Sequence, residues 1–335
     1  MRPVDLITGF LGSGKTTFIT AYGKYLIRQG IRPGFIENDY GAVNVDMLLL
    51  ENAFGSDADT EMIIAEDPEC HRRRFKAKLI TYGMTGVGHV VVEPSGIYDA
   101  DEFFDVLHDD PLERWFQPGS VLAIVDARLS APLSKETRYL LVSQIADAGA
   151  VILSRTQDAS DEELRGTVDC LNRVCDEFQC GRHFELGKDV VAKDWRTFTD
   201  DDFEAFRRAG CRMTEHLRLQ TAKDNDFSSV YCMNLTLLPS DLAPLASSLF
   251  SDPLCGTVLR IKGFTKGTDG SWTELNATPR EIRTSPSAAG QQVLIIIGEH
   301  LDRTRIESHL RPFRPSPGGR HFAPSRSVRP QEFRP

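Results

Sequence analysis

The chain has 335 residues, 41% of them hydrophobic and 26% charged, and a formal net charge of −9. That length exceeds what one core usually supports and predicts two domains, while the acidic balance argues against a general nucleic-acid binder. The longest apolar runs, such as 293–297, are far too short for a bilayer, and no apolar signal stretch opens the chain, so the expected location is the cytoplasm, off the membrane.

Apolar runs at 4–9, 33–38, 61–66, 89–94, 120–127 and 150–155 predict strands. Helices are predicted to start at Lys15, near Cys70, at Ala100 and near Asp161, the last behind a Ser160 cap. This alternation predicts an α/β fold, a doubly wound and mostly parallel sheet. Residues 180–225 are polar and show no clear period, and the domain boundary is placed at 221–226. A second, smaller α/β domain is expected beyond it, with strands at 228–237, 257–264, 271–277, 280–285 and 291–298 and helices at 240–250 and 302–310. The expected division is therefore 1–221, 226–310 and a tail at 311–335. The tail is rich in Arg and Pro with one acid and reads as disordered, either solvated or a tether for an acidic partner.

The stretch from Gly9 to Thr16, GFLGSGKT, fits the phosphate-loop pattern and lies between a strand and a helix. Glycines let backbone N–H groups turn toward phosphate oxygens, and the helix N-terminus adds partial positive charge. Gly9, Gly12, Ser13, Gly14, Lys15, Thr16 and Thr17 are thus candidate nucleotide contacts. Lys15 is expected at the β- and γ-phosphates and the Thr16 hydroxyl on Mg²⁺. In HVVVEPSG, 89–96, an apolar strand delivers Glu93 to the sheet edge to serve Mg²⁺ or the attacking water, and the Gly96 N–H is placed to sense the γ-phosphate.

With IENDYGAVNVD at 36–46, and with VLRIKGF at 258–264 and the segment 293–310, these elements make the chain resemble the CobW-like family of P-loop GTPases, over nearly its whole length. The resemblance implies a GTP-hydrolysing, metallochaperone-related protein that couples turnover to metal delivery or to activation of a client metalloprotein or enzyme. It implies switch-like segments at 37–50 and 96–116. It makes Asp39, where the family has Glu, a catalytic candidate beside Lys15 and Glu93, with Asp46 a weaker one.

Two motifs depart from the family. Its C-x-C-C is here Asp67-x-Glu69-Cys70, and the acids flanking its first switch are here Glu37 and Ala42. Glu37, Asp67, Glu69 and Cys70 then form either a mixed oxygen and sulfur site suited to Zn²⁺, or a Pro-containing turn capping a helix; His71 reads as a helix residue. Arg72, Arg73 and Arg74 read as a solvated face, with the alternative that one acts as an arginine finger. The family's N-K-x-D base-recognition motif is replaced by Ser154-Arg155-Thr156-Gln157. Arg155 can stand in for the lysine stem, but Gln157 has one acceptor oxygen where guanine needs two, with Asp158 one residue beyond. The alternative reading is a nucleotide-gated regulatory protein with slow turnover, no transferred metal and no strict preference for guanine. The cysteines at 170, 175 and 180 recur every five residues, which matches neither a usual zinc spacing nor one helix face.

Overall fold

Seven strands rich in Val, Ile and Leu form a parallel sheet: β1 Arg2–Thr8, β2 Pro33–Asn38, β3 Asp59–Ile63, β4 His89–Glu93, β5 Phe116–Asp126, β6 Ala150–Ser154 and β7 Val190–Val191, in the order β3-β2-β4-β1-β5-β6-β7. The computed structural model describes residues 1–10, 12–38, 45–63, 68–94, 105–129, 133–212, 214–217, 227–233, 235–288 and 290–314. Both faces of the sheet are covered, as a doubly wound arrangement requires. One face carries Ile7, Phe35, Val91 and Ile124 against helix α1, Lys15–Arg28; the other carries Leu6, Ile36, Val92 and Ala123 in a second core.

α1 shows how local sequence sets a boundary. Phe18, Ile19, Tyr22, Tyr25 and Leu26 recur at three- and four-residue spacing and are buried. The helix stops at Gln29, where Gly30, at φ +73°, lets Ile31 N–H donate to Leu26 O and Gly30 N–H to Ile27 O. That paired closure ends the helix while satisfying its last carbonyls. Burying one aromatic such as Phe18 contributes about 1.5–3 kcal/mol.

Further helices are α2 Val45–Phe54, α3 Pro68–Met84, α4 Lys135–Ala146, α5 Asp161–Glu177 and α6 Asp200–Arg207. α5 carries the expected cap as a full reciprocal box between Ser160 and Glu163. The helix expected at Ala100, the boundary at 221–226 and all of the tail but 311–314 lie outside the described residues.

The second domain is a five-stranded sheet, β8 Phe227–Met233, β9 Thr257–Lys266, β10 Trp272–Thr278, β11 Glu281–Ser287 and β12 Val293–Glu299, in the order β11-β10-β9-β12-β8 with antiparallel pairings. One face, with Ile261, Leu275, Ala277 and Ile296, packs on α7, Pro239–Ser251, and α8, Arg303–Leu310. The opposite face holds Arg260, Glu274, Asn276, Thr278, Glu281 and Arg283, which line a cleft of about 490 Å³ together with the phosphate loop.

The two sheets are fastened at separate points. Arg155 Nε lies 3.6 Å from Glu281 Oε2, and an Arg280 guanidinium donates to the Arg128 carbonyl. Away from the cleft, Glu299 Oε1 accepts from Ser134 Oγ at 2.7 Å and from Thr137 Oγ1 at 2.5 Å, at the N-terminus of α4.

Candidate nucleotide site

The loop after β1 is built on backbone that side chains rarely adopt. Gly9, Gly12 and Gly14 have φ of +139°, +75° and +103°. A Cβ on Gly9 would sit 2.2 Å from Ile124 O, and one on Gly14 would sit 3.3 Å from the Trp195 ring. Glycine is therefore required here for both conformation and space. Gly14 caps α1, whose first N–H groups open toward the cleft.

Lys15, only 5% exposed, donates from Nζ to Gly9 O at 3.0 Å and so spans its own loop. Thr16 Oγ1 donates to Glu93 Oε1 at 3.2 Å. Ser13 Oγ is buried with no hydrogen-bond partner among the described residues. Glu37, next to last in β2, is in register with Glu93 on β4, so two buried carboxylates stand on the same face of the sheet, and Glu93 also accepts from the Thr16 hydroxyl. Like charges on neighbouring strands repel. A hydroxyl and two carboxylates are hard oxygen donors of the kind that hold Mg²⁺.

Arg155 sits at φ +55° just after β6. Its guanidinium donates to Gly12 O at 2.9 Å and to Asp126 Oδ2 at 2.6 Å, so it clamps the phosphate loop to the end of β5. Ser154 is buried, its hydroxyl directed to Val125 O at 3.4 Å. Gln157 is exposed, and its amide donates to Asp158 Oδ2 at 3.0 Å. Thr17 is exposed on the first turn of α1 and lines the cleft.

Cys70 is half-buried on the first turn of α3. Asp67, Asp39 and Gly96 lie outside the described residues, as do the side chains of Glu69 and Asp46. Of the four residues in the expected metal-ligand set, Glu37 and Cys70 have described side chains. Arg72, Arg73 and Arg74 are exposed, with Arg72 Nη2 3.4 Å from Asp109 Oδ1. Among the described residues, the arginines that line the cleft are Arg155, Arg260 and Arg283.

Several of these neighbours were not anticipated. Trp195 reaches back from beyond β7, donates from Nε1 to Leu153 O at 2.8 Å and packs edge-on to Phe18. Arg260 lines the cleft from the second domain, and its buried Nε has no hydrogen-bond partner among the described residues. The alternation of polar residues along β9, β10 and β11 is readable in the sequence, but what that face covers is a tertiary fact.

A parallel sheet with this glycine loop at the carboxyl end of β1 defines a P-loop nucleotide-binding protein. Residues 3–180, more than half of the chain, match the family model described as CobW/HypB/UreG, nucleotide-binding domain. The chain belongs to this family, the CobW-like P-loop GTPases. The zinc chaperones YeiR and YjiA of Escherichia coli (strain K12) are 25% identical over 171 residues and 26% identical over 172. Each match covers 48% of this chain, and 49% and 51% of those proteins, so the chain spans about half the length of the curated relatives it matches. Among solved structures, Zn(II)-bound YjiA GTPase from E. coli is 17% identical, with 94% of this chain and 100% of that chain covered and a TM-score of 0.36. Among the described residues no helix is long and apolar enough to cross a membrane.

Proposed function

We propose that the chain is a Mg²⁺-dependent GTPase that couples its nucleotide cycle to handling a metal ion for a client protein. The contact between Thr16 Oγ1 and Glu93 Oε1, at the mouth of the glycine loop and with Glu37 alongside, carries this reading. It brings together the donors that a nucleotide-bound Mg²⁺ needs. Mg²⁺ when bound neutralises charge on the β- and γ-phosphate oxygens.

The chain's own groups supply the rest. The loop N–H groups and the start of α1 bind phosphate, and Lys15 reaches the terminal phosphates by exchanging its bond to Gly9 O for phosphate oxygen. Glu93 orients the attacking water from the carboxyl end of β4, with Asp39 a further candidate from the segment after β2. Arg155 holds Gly12 against the end of β5 so that the cradle keeps its shape. Preorganised donors of this kind cost little reorganisation when charge develops. Zn²⁺ as cargo, with Glu37, Asp67, Glu69 and Cys70 as its ligands, is supported by family membership and by the donor set.

The test is binding and turnover with a fluorescent GTP analogue, with and without Mg²⁺. Glu93→Gln should keep binding and lose most phosphate release; a variant that turns over at the wild-type rate removes Glu93 from the mechanism. The second reading, relaxed base preference with slow turnover and no cargo, is favoured by the Gln157 amide being turned to Asp158. Equal competition by ATP and GTP would establish it, and a strong preference for GTP would remove it.

A further inference from the structure

The second domain carries a donor cluster that the nucleotide site does not use. α7 ends at Asp252, whose Oδ1 accepts from Leu254 N–H at 3.0 Å and so starts a single helical turn, Pro253–Cys255. That turn brings Cys255, fully buried, back beside the same carboxylate. α8 is fastened to the turn by Asp302 N–H donating to Cys255 O at 3.1 Å. One face of α8 then places His309 Nε2 2.7 Å from Asp252 Oδ2, with His309 Nδ1 3.3 Å from Ser248 Oγ. One oxygen of Asp252, the Cys255 sulfur and one His309 nitrogen all lie within 4.8 Å of one another.

We propose that Asp252, Cys255 and His309 form a Zn²⁺ site that is separate from Cys70 and needs no nucleotide. A thiolate, an imidazole and a carboxylate make a donor set of intermediate softness, which suits Zn²⁺ and excludes Mg²⁺. Zinc bonds of about 2.0–2.3 Å imply ligand-to-ligand spacings of roughly 3.3–3.8 Å. The cluster therefore closes by local side-chain adjustment and needs no movement of a helix. Ser248 sets the ring orientation of His309 from outside, the arrangement that metal-binding histidines commonly use. Arg305 Nε, 2.6 Å from Asp252 Oδ2, can stay on that oxygen as an outer partner and offset the charge of the two anionic ligands.

A purely structural reading makes Asp252 an ion-pair hub tying α7 to α8. That reading accounts for Arg305, His309 and the Leu254 N–H, and it leaves Cys255 as a small buried core residue. The sulfur against the carboxylate is what turns the hub into a ligand set.

Cobalt(II) titration of the full chain tests the proposal, carried out in a Cys70→Ser background so that the other candidate site contributes no thiolate. The expected result is sulfur-to-cobalt charge-transfer absorption saturating at one equivalent and displaced by Zn²⁺. Cys255→Ser should abolish it, and His309→Gln and Asp252→Asn should each weaken binding at least 10-fold. Should Cys255→Ser fail to fold by circular dichroism, His309→Gln carries the test. No absorption in the Cys70→Ser chain, absorption that survives in folded Cys255→Ser, or unchanged affinity in His309→Gln would each overturn the assignment. Nucleotide affinity, measured in parallel, tests the GTPase reading separately, since the two sites share no residue.

Discussion

β1 carries two polar clusters, and they are built on opposite principles. Midway along the strand, Asp5 is fully buried and its carboxylate is saturated by the protein: Tyr22 OH donates at 2.7 Å, Ser120 N–H at 2.7 Å, and His89 Nε2 lies at 2.6 Å. At the carboxyl end, the loop is held in left-handed backbone, and Ser13 Oγ and Arg260 Nε are buried with no partner among the described residues. A buried polar group without a partner costs about 1–3 kcal/mol, so proteins seldom keep one without a use for it. The Asp5 cluster is built for stability and the loop cluster for a ligand.

Substitutions at the two clusters should therefore separate stability from binding. The largest effect is expected from Lys15→Ala, which should cut phosphate release by about 10²–10³-fold while leaving the melting temperature within a degree or two. Wild-type turnover in that variant would mean that the loop does not carry the chemistry. Asp5→Ala should do the reverse. It leaves three buried groups unpaired and should cost about 3–5 kcal/mol by urea unfolding, with nucleotide affinity of the folded protein unchanged. If affinity fell in step with stability, the two clusters would have to be one cooperative unit.

A smaller effect is expected from Arg260→Ala: about 10-fold weaker affinity for the triphosphate, since a charge-assisted hydrogen bond contributes about 1.5–3 kcal/mol, and no loss of melting temperature. A drop in melting temperature with unchanged affinity would reassign Arg260 to the fold. The smallest effect concerns Glu204 on α6. The Arg207 guanidinium, with help from the Tyr25 hydroxyl, holds its carboxyl down at about 2, from an ordinary value near 4.5. A lowered folded-state pKa stabilises the fold above the ordinary value, and that share is lost as pH falls from about 4.5 toward 2. The gap in unfolding midpoint between wild type and Glu204→Gln should narrow across that window. A gap independent of pH would mean that the ion pair does not contribute.

What was legible in the sequence is what local chemistry decides. The phosphate loop is a contiguous motif whose glycines are needed one by one, and the Ser160 cap of α5 is a four-residue pattern. All the strands of both sheets but β7, a two-residue strand inside the polar stretch 180–225, also announced themselves, because their apolar runs are bounded by turns. α4 did not, since residues from Thr137 to Ala146 are nearly all buried and leave no one-sided period to detect. Trp195 and Arg260 reach the loop only through chain crossings, which no local pattern encodes.

The cysteine spacing of five is a subtler case. It fits no helix face, yet α5 ends in a closure where Cys180 N–H donates to Cys175 O at 2.8 Å. Gln179 takes the left-handed position at φ +52°. The Cys175 thiol, as hydrogen-bond donor, then pulls Cys180 down to about 7. A helix end had made neighbours of two residues that helical periodicity separates.

Two of the inter-sheet fastenings differ in how they meet dissolved ions. Arg155 and Glu281 face each other with side chains 20% and 30% exposed, where mobile counter-ions screen attraction. Glu299 is 7% exposed and sits on uncharged hydroxyls at a helix N-terminus, out of reach of that screening. Raising ionic strength should therefore weaken the Arg155–Glu281 pair beside the phosphate loop more than the Glu299 contact at α4.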